Sequence, residues 1–256
     1  MEYFGTLYIA GIAKDGIVVV CDTRISVTLT SDVEKENVLC YWDYVQKIYT
    51  FGNCVIAVAG KQEFDNKAFS ISFYFNRFFE RYSVDEMVPS DFFLKFLNFV
   101  MEEFPPEKHP NLLIELNTLR MIFCKYDNGE PYIALFNRSK PLGACVNEIG
   151  CLWSSDTIPL KTFDLNISSS SLSELLIKVI EDEAKITLEV GGPVMSILIP
   201  AHGAIKWINN EPTRSLRELR SEYQADLEAG EYVIQFTSEK NKAIYYGQTE
   251  KKPDLF

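Results

Sequence analysis

A threonine, an aspartate, an arginine and a lysine near the start of the chain have types and spacing that could perform chemistry. With the glycines around them, the residues read Gly5-Thr6, Gly16, Asp22-Thr23-Arg24, Gln46-Lys47-Ile48 and Ala59-Gly60. A threonine hydroxyl is a poor nucleophile by itself and attacks a carbonyl only when a base lies beside it. Chemistry at Thr6 therefore depends on which basic and charged groups the fold brings to it.

This pattern resembles the proteasome β-type family of N-terminal-nucleophile hydrolases. In that family a Gly–Thr junction precedes the mature N-terminus, and a glycine turn and an Asp-x-Arg follow it. A strand with a functional lysine and an Ala-Gly before the first helix complete the pattern. Asp22 and Arg24 follow Thr6 by sixteen and eighteen residues, which fits the family spacing without gaps. Lys47 is matched by its strand context, because a longer insertion around residues 28–42 precedes it.

The resemblance implies a threonine-type hydrolase that acts on a peptide or another amide. Thr6 would be the nucleophile once residues 1–5, a propeptide, have been removed. Its freed α-amine, with a reference pKa of about 7.7–8.0, would accept the hydroxyl proton. Lys47, held by Asp22, would maintain a positive potential at Thr6. The backbone N–H of Gly60 would donate to the oxyanion.

The chain departs from active members of this family at the residues that support the α-amine. Residues 150–152 read Gly-Cys-Leu where active members have a Ser-Gly after a strand glycine. Residues 187–190 read Thr-Leu-Glu-Val where those members carry an Asp and a Ser before a Gly-Gly. Ser154, Ser155 and Asp156 lie close by in sequence and are candidates to replace this support.

Two other functions remain open at this point. The first is a non-catalytic, unprocessed subunit that keeps residues 1–5 and acts in assembly or protein–protein interaction. The second is an N-terminal-nucleophile amidase for a small molecule. Subunits of the family work in stacked rings, so the resemblance implies a homo- or hetero-oligomer.

The elements that must position Thr6 form a predicted hairpin. Thr6 to Ala13 and Ile17 to Ile25 are apolar, β-branched runs joined around Lys14-Asp15-Gly16. Both faces of each run are largely apolar, which is typical of strands buried between two layers. The first strand of a buried sheet would therefore begin at Thr6.

The loop length of this hairpin decides which side chains share a face. A three-residue loop with Gly16 left-handed and a G1 bulge would pair Thr6 with Arg24 and Tyr8 with Asp22. We predict this register, because it puts the candidate catalytic residues Thr6, Asp22 and Arg24 on one face. A two-residue turn at Asp15-Gly16 would shift the pairing by one residue and turn Asp22 away.

The rest of the chain alternates between strand and helix patterns. Apolar residues at helical spacing predict helices over 64–82 and 91–104, and capping boxes at Ser171–Glu174 and Ser215–Glu218 open two more. Hairpins are predicted at 118–137, 194–208 and 232–246, and Gly191-Gly192-Pro193 ends a helix. This order predicts one α+β domain over 1–256, a four-layer α/β/β/α sandwich of two antiparallel sheets, with residues 211–256 as a C-terminal helix and hairpin extension.

Composition excludes several classes of function. The net charge of −11 argues against nucleic acid and against an anionic membrane as partners. No apolar run of about 18 residues and no signal peptide is visible, so we expect a cytoplasmic protein with reduced cysteines. We expect no cofactor and no metal, because His109 and His202 lack the spacing of a zinc site and no phosphate-loop motif occurs.

Overall fold

Runs of apolar and β-branched residues form most of the strands, and across the described chain these strands build three five-stranded sheets. The computed structural model describes residues 2–4, 6–28, 38–64, 69–116, 118–136, 144–150, 152–154, 166–187, 189–210, 213–221, 234–236 and 244–246. The strands are β1 (Glu2–Phe4), β2 (Tyr8–Ala13), β3 (Gly16–Cys21), β4 (Ile25–Thr28), β5 (Val38–Trp42), β6 (Ile48–Phe51), β7 (Cys54–Ala59), β8 (Glu63–Phe64), β9 (Phe69–Ser70), β10 (Arg120–Asp127), β11 (Glu130–Phe136), β12 (Ala144–Val146), β13 (Leu152–Ser154), β14 (Met195–Pro200), β15 (Lys206–Asn209), β16 (Ile234–Phe236) and β17 (Ile244–Tyr246).

Besides a 3-10 helix at Pro89–Asp91, five α-helices accompany these strands in the described residues. They are α1 (Ile71–Arg81), α2 (Phe92–Glu103), α3 (Leu112–Leu116), α4 (Ser169–Glu183) and α5, which begins at Leu216 and is described as far as Ser221. Within these ranges every helix is too short or too polar to cross a membrane.

Each of the three large sheets combines strands from separate parts of the chain. The first sheet has the order β13-β2-β3-β14-β15, and the second has the order β12-β11-β10-β7-β6. The third sheet, in the order β1-β4-β5-β17-β16, joins the N-terminal strand to the C-terminal hairpin. Only the first two sheets correspond to the prediction. The third was not predicted as a sheet. Its C-terminal hairpin, β16 and β17, was expected at 232–246, but the pairing of β17 with β5 and of β4 with β1 was not.

Three buried apolar clusters lie on successive faces of the first two sheets. The largest fills the space between the second sheet and helices α1 and α2, and it includes Phe78, Phe92 and Phe123. Another lies between the two sheets and takes alternate residues of β2, β3, β7 and β10. A further cluster joins the other face of the first sheet to α4 through Leu172 and Leu176. Burying one such side chain stabilises the fold by about 1.5–3 kcal/mol.

The predicted register of the first hairpin is wrong. Ala13 pairs with Gly16, which leaves only Lys14 and Asp15 in the turn, and Tyr8 pairs with Cys21 instead of Asp22. Gly16 is not left-handed. A Cβ on Gly16 would lie 2.8 Å from the Ile199 carbonyl oxygen and 2.5 Å from a side-chain carbon of β14. The glycine is therefore required by the close approach of β14 and not by the turn.

The strand pairing changes register near Thr6. Phe4 pairs with Ser26 in the third sheet, and Tyr8 pairs with Cys21 in the first sheet. Between these two pairs lie three residues on one side, 5–7, and four on the other, 22–25. The additional residue interrupts the ladder, so that Asp22 lies outside β3 and its side chain can turn toward the backbone of its neighbours.

Helix starts were predicted with mixed success. The Ser215–Glu218 box is confirmed, since Ser215 N donates to Glu218 at 2.8 Å and Glu218 N donates to Ser215 at 3.2 Å. The box at Ser171 is wrong, because Ser168 caps α4 by accepting from the Ser171 N–H. The helix predicted over 64–82 begins only at Ile71 and ends at Arg81, since Phe64 lies in β8.

Candidate functional site

Asp22 is the centre of the candidate site. Its carboxylate is fully buried and accepts four hydrogen bonds from four parts of the chain. The donors are Leu7 N at 2.9 Å and Lys47 Nζ at 2.9 Å on Oδ1, with Gly191 N at 3.0 Å and Arg24 N at 3.2 Å on Oδ2. A carboxylate with this number of donors holds the surrounding backbone in one arrangement.

Opposing effects act on the charge of Asp22. Burial raises the pKa of the Asp22 carboxyl above its ordinary value, whereas the Lys47 ammonium and the N–H groups of Gly191 and Leu7 act to lower it. Desolvation is the largest of these effects on the pKa, and the Lys47 ammonium is the largest of those that oppose it.

Lys47 is the cation of the site. It lies directly before β6, and its carbonyl accepts from Val58 N at 3.0 Å, which fixes its backbone to β7. The side chain is 1% exposed, and Nζ donates to Asp22 Oδ1 and to the Arg24 carbonyl. A buried ammonium is stable only when it is paired and hydrogen-bonded, and these two acceptors meet that need.

Thr6 directly precedes Leu7, the residue whose backbone Asp22 holds. It stands between β1 and β2 and is 9% exposed. The next residue, Leu7, donates its N–H to Asp22 and accepts from Asp22 N at 3.1 Å. Asp22 therefore fixes the backbone directly after Thr6. Gly5 lies outside the described residues.

The structure places the Arg24 side chain away from Asp22 and Lys47. Its Nε and Nη2 donate to the two carboxylate oxygens of Asp43 at 2.8 and 3.0 Å, and its guanidinium lies 3.8 Å from the centre of the Tyr41 ring. Burial acts to lower the pKa of Arg24, but Asp43 outweighs it, so the pKa is raised. Arg24 thus contacts Asp22 and Lys47 through hydrogen bonds of its backbone alone.

Gly60 directly follows β7, the strand whose Val58 binds the backbone carbonyl of Lys47. Val58, whose N–H binds the Lys47 carbonyl, precedes Gly60 by two residues. Gly60 has φ +89°, and a Cβ there would lie 2.6 Å from the Thr118 carbonyl oxygen. The position therefore admits only glycine, both for its backbone angle and for its closeness to Thr118.

The prediction that Gly191-Gly192-Pro193 ends a helix is wrong, because α4 ends at Glu183; the loop belongs to the site. Gly191 N donates to Asp22, Thr23 N donates to the Gly191 carbonyl at 3.2 Å, and Thr23 Oγ1 donates to the Pro193 carbonyl at 2.9 Å. A Cβ on Gly191 would lie 2.6 Å from Cζ of Arg24. The paired glycines were the available signal, because two adjacent glycines indicate a close backbone approach.

Two cavities share Gln46 in their walls, and the smaller one adjoins the ion pair. A small cavity of about 50 Å³ is bounded by Asp22, Lys47, Met195 and Trp207 among others, which is room for about one to three water molecules. A larger groove of about 630 Å³ lies along β6 and the starts of α1 and α5. The ion pair thus adjoins a small space at the end of the first sheet.

Most of the candidate replacements for the family's support residues fall outside the described chain. Ser155, Asp156 and Cys151 lie beyond it. Ser154 is in β13, where its backbone pairs with Ile9, but its side chain is not described. Thr187 Oγ1 accepts from Glu189 N at 3.2 Å, a contact within its own loop. In the ranges that the structure covers, no group of three or more His, Cys, Asp or Glu could hold a metal.

Comparisons with known proteins give one result, at the level of the fold. No family model and no curated protein sequence matches the chain. The solved structures that match include Anbu from Pseudomonas aeruginosa in a helical assembly, with TM-score 0.54, 13% identity and coverage of 88% of this chain and 95% of that one. A Gly-1 mutant of Anbu from Hyphomicrobium sp. strain MC1 matches with TM-score 0.52, 13% identity and coverage of 88% and 96%.

A third structure is Anbu from Yersinia bercovieri, described as an ancestral β-subunit, with TM-score 0.51, 10% identity and coverage of 87% of this chain and 95% of that one. At these identities the likeness shows the fold alone. Since the match extends over most of both chains, this chain has the proteasome-like fold of Anbu.

Proposed function

We propose that the chain is a proteasome-like threonine-type hydrolase of peptide or other amide bonds, with Thr6 as the N-terminal nucleophile after residues 1–5 are removed. The observation that carries the proposal is the buried ion pair of Asp22 and Lys47, hydrogen-bonded to the residue that follows Thr6. Both charged side chains are 1% exposed or less. A buried pair of this kind adds little stability, so a functional use is the better account of it.

The proposed reaction uses few groups. The free α-amine of Thr6 takes the proton from its own Oγ, and Oγ attacks the carbonyl carbon of the amide. The N–H of Gly60 stabilises the oxyanion, a contribution of about 3 kcal/mol for one such donor. The C–N bond of the amide then breaks, and the leaving nitrogen takes the proton from the Thr6 α-ammonium. Water hydrolyses the ester that remains on Thr6, which releases the carboxylic acid and restores the hydroxyl. Lys47, held in place by Asp22, stabilises the negative charge that develops at Oγ.

The architecture and the assembly form part of the same proposal. Buried apolar clusters lie between the second sheet and helices α1 and α2, between the two sheets, and between the first sheet and α4. These three layers of contact support a four-layer sandwich. The helical assembly of the Anbu complex supports an oligomer of this chain, with further copies or with related subunits.

Intact mass, measured together with hydrolysis of a panel of fluorogenic peptide amides, tests the catalytic proposal. We expect the folded wild-type chain to begin at Thr6 and to hydrolyse at least one substrate. Thr6→Ala should remain full length and inactive, while Thr6→Ser, which keeps a hydroxyl, should retain processing. A wild-type chain that stays full length and inactive would exclude the proposal.

A second candidate is the unprocessed, non-catalytic subunit, and one observation favours it. Glu2 to Phe4 form β1, which pairs with β4 at three positions, so the segment before Thr6 has a place in the third sheet. If that pairing retains the segment permanently, the α-amine of Thr6 stays in a peptide bond. The mass measurement separates the two candidates, because this one requires Met1 or Glu2 at the N-terminus of the mature protein.

A further inference from the structure

The ion pair between Arg24 and Asp43 is the most constrained charged contact beside the candidate site. The guanidinium makes two parallel hydrogen bonds to the carboxylate, and the two side chains are 13% and 12% exposed. The Tyr41 ring covers the guanidinium at 3.8 Å. A bidentate pair that also stacks on an aromatic ring fixes the position and the plane of the arginine.

The backbone of Arg24 contacts both members of the pair that we assign to catalysis. Arg24 N donates to Asp22 Oδ2 at 3.2 Å, and the Arg24 carbonyl accepts from Lys47 Nζ. The Lys47 ammonium therefore has two acceptors, and one of them, the Arg24 carbonyl, is placed by Arg24 itself. Movement of Arg24 would displace this carbonyl and, with it, the ammonium.

Neighbouring backbone confines the arginine and the aspartate from the other side. A Cβ on Gly191 would lie 2.6 Å from the Arg24 guanidinium carbon, and one on Gly192 would lie 3.0 Å from the Asp43 carboxyl carbon. Tyr44, which follows Asp43, has φ +64°, a conformation that non-glycine residues rarely adopt. The backbone on both sides of the ion pair thus has little freedom to adjust.

We propose that Asp43 is a positioning residue, which acts through Arg24 to set the place of the Lys47 ammonium. The carboxylate holds the guanidinium, the guanidinium fixes the Arg24 backbone, and the Arg24 carbonyl holds Nζ of Lys47. The consequence for hydrolysis rests on the proposed function. The position of the Lys47 ammonium is independent of that function, because it concerns contacts within the folded chain alone.

The test measures the Lys47 ammonium directly, by ¹⁵N–¹H NMR of protein labelled at the lysine side chains. A buried ammonium held by two acceptors exchanges its protons slowly and gives a separate signal, which is assigned by its disappearance in Lys47→Arg. We expect Asp43→Asn to abolish or shift this signal and Asp43→Glu, which keeps the carboxylate, to restore much of it. The matched control is Glu115→Gln, which breaks a partly buried ion pair with Lys61 that does not involve Lys47; it should leave the signal in place.

Asp43→Asn leaves a guanidinium without its partner and could prevent folding. In that case the double variant Arg24→Met/Asp43→Asn, which leaves neither charge of the pair behind, is measured instead, with the same expected loss. A folded Asp43→Asn or double variant whose Lys47 signal matches the wild type would overturn the proposal. If the wild type hydrolyses an amide, Asp43→Asn should lower kcat by about 10- to 100-fold with KM little changed. If it hydrolyses none, the proposed function fails while the NMR result still decides the role of Asp43.

Discussion

Among the residues that the structure describes, two lysines are buried in different ways, and the contrast separates a candidate catalytic cation from a structural one. Lys47 is 2% exposed and Lys125 is 1% exposed. The ammonium of Lys47 binds the carboxylate of Asp22 and one carbonyl beside a small cavity. The ammonium of Lys125 instead donates to the carbonyls of the loop at 84–87, and its nearest carboxylate oxygen, on Asp127, is 3.8 Å away.

Burial of a lysine is therefore not in itself a sign of function. Lys125 closes the loop that precedes α2, because three carbonyls of that loop converge on its ammonium. Lys47 has a charged partner that also holds the backbone next to Thr6. Substitutions around Lys47 should therefore impair both processing and stability, whereas those around Lys125 should impair stability alone.

Lys47→Met should have the greatest consequence, because it leaves Asp22 buried without its cation. We expect a loss of about 3–5 kcal/mol in the free energy of unfolding. Processing and any amide hydrolysis should fall by about 100-fold or more, since electrostatic stabilisation is lost. Urea unfolding and intact mass provide the measurements. The paired variant Lys47→Met/Asp22→Asn should recover part of the stability but none of the activity.

Lys125→Met should destabilise the fold and leave processing and any amide hydrolysis unchanged. The substitution removes a buried donor from the carbonyls of Val84 and Met87, at a cost of about 1–3 kcal/mol. We expect a lower urea midpoint and the same N-terminus as the wild type. If this variant is folded at the temperature of the assay but is not processed, Lys125 also affects the chemistry, and the distinction between the two lysines is wrong.

Gly191→Ala should disturb the Asp22 region by steric conflict alone. The added Cβ would lie 2.6 Å from the Arg24 guanidinium carbon, and overpacking of this kind costs about 1–3 kcal/mol. Gly203→Ala is the matched control, because a Cβ there meets nothing within 4 Å although the residue has φ +102°. Thermal unfolding of the two variants compares them. Gly191, unlike Gly203, does not have a positive φ, so unchanged stability of Gly191→Ala would show that the Arg24 side chain moves aside at little cost.

Asp127→Asn should change stability least among these variants. The carboxylate is 29% exposed and 3.8 Å from the Lys125 ammonium, so the ion pair contributes about 0–1 kcal/mol. We expect a urea midpoint close to that of the wild type. A loss as large as that of Lys125→Met would show that the ammonium depends on this carboxylate and not on the loop carbonyls.

Local pattern was enough to predict part of this molecule. The hairpin predicted at 118–137 is confirmed, because β10 and β11 pair from Asp127↔Glu130 onward. The helix predicted over 91–104 is present as α2, Phe92–Glu103. These elements follow from residues close together in sequence, whose apolar spacing and turn chemistry agree with the final packing.

Long-range contacts decided what the sequence could not predict. The register of the first hairpin depends on Leu198 and Ile199, which crowd Gly16 from a strand far along the chain. Gly191 reaches Asp22 across 169 positions. Asp43 lies closer in sequence to its partner Arg24, but no motif around Asp43 distinguishes it from the other aspartates of the chain. The proximity of Asp22 and Lys47 was accessible only because a family pattern contains both.

The N-terminus of the folded protein tests the central claim most directly. Sequencing of the first residues of purified, folded wild type should give Thr-Leu-Tyr-Ile, and the Lys47→Met chain should still begin with Met or Glu. If the wild-type chain keeps the residues before Thr6 while remaining folded, Asp22 and Lys47 do not serve a nucleophile at Thr6, and the protein is not a threonine-type hydrolase.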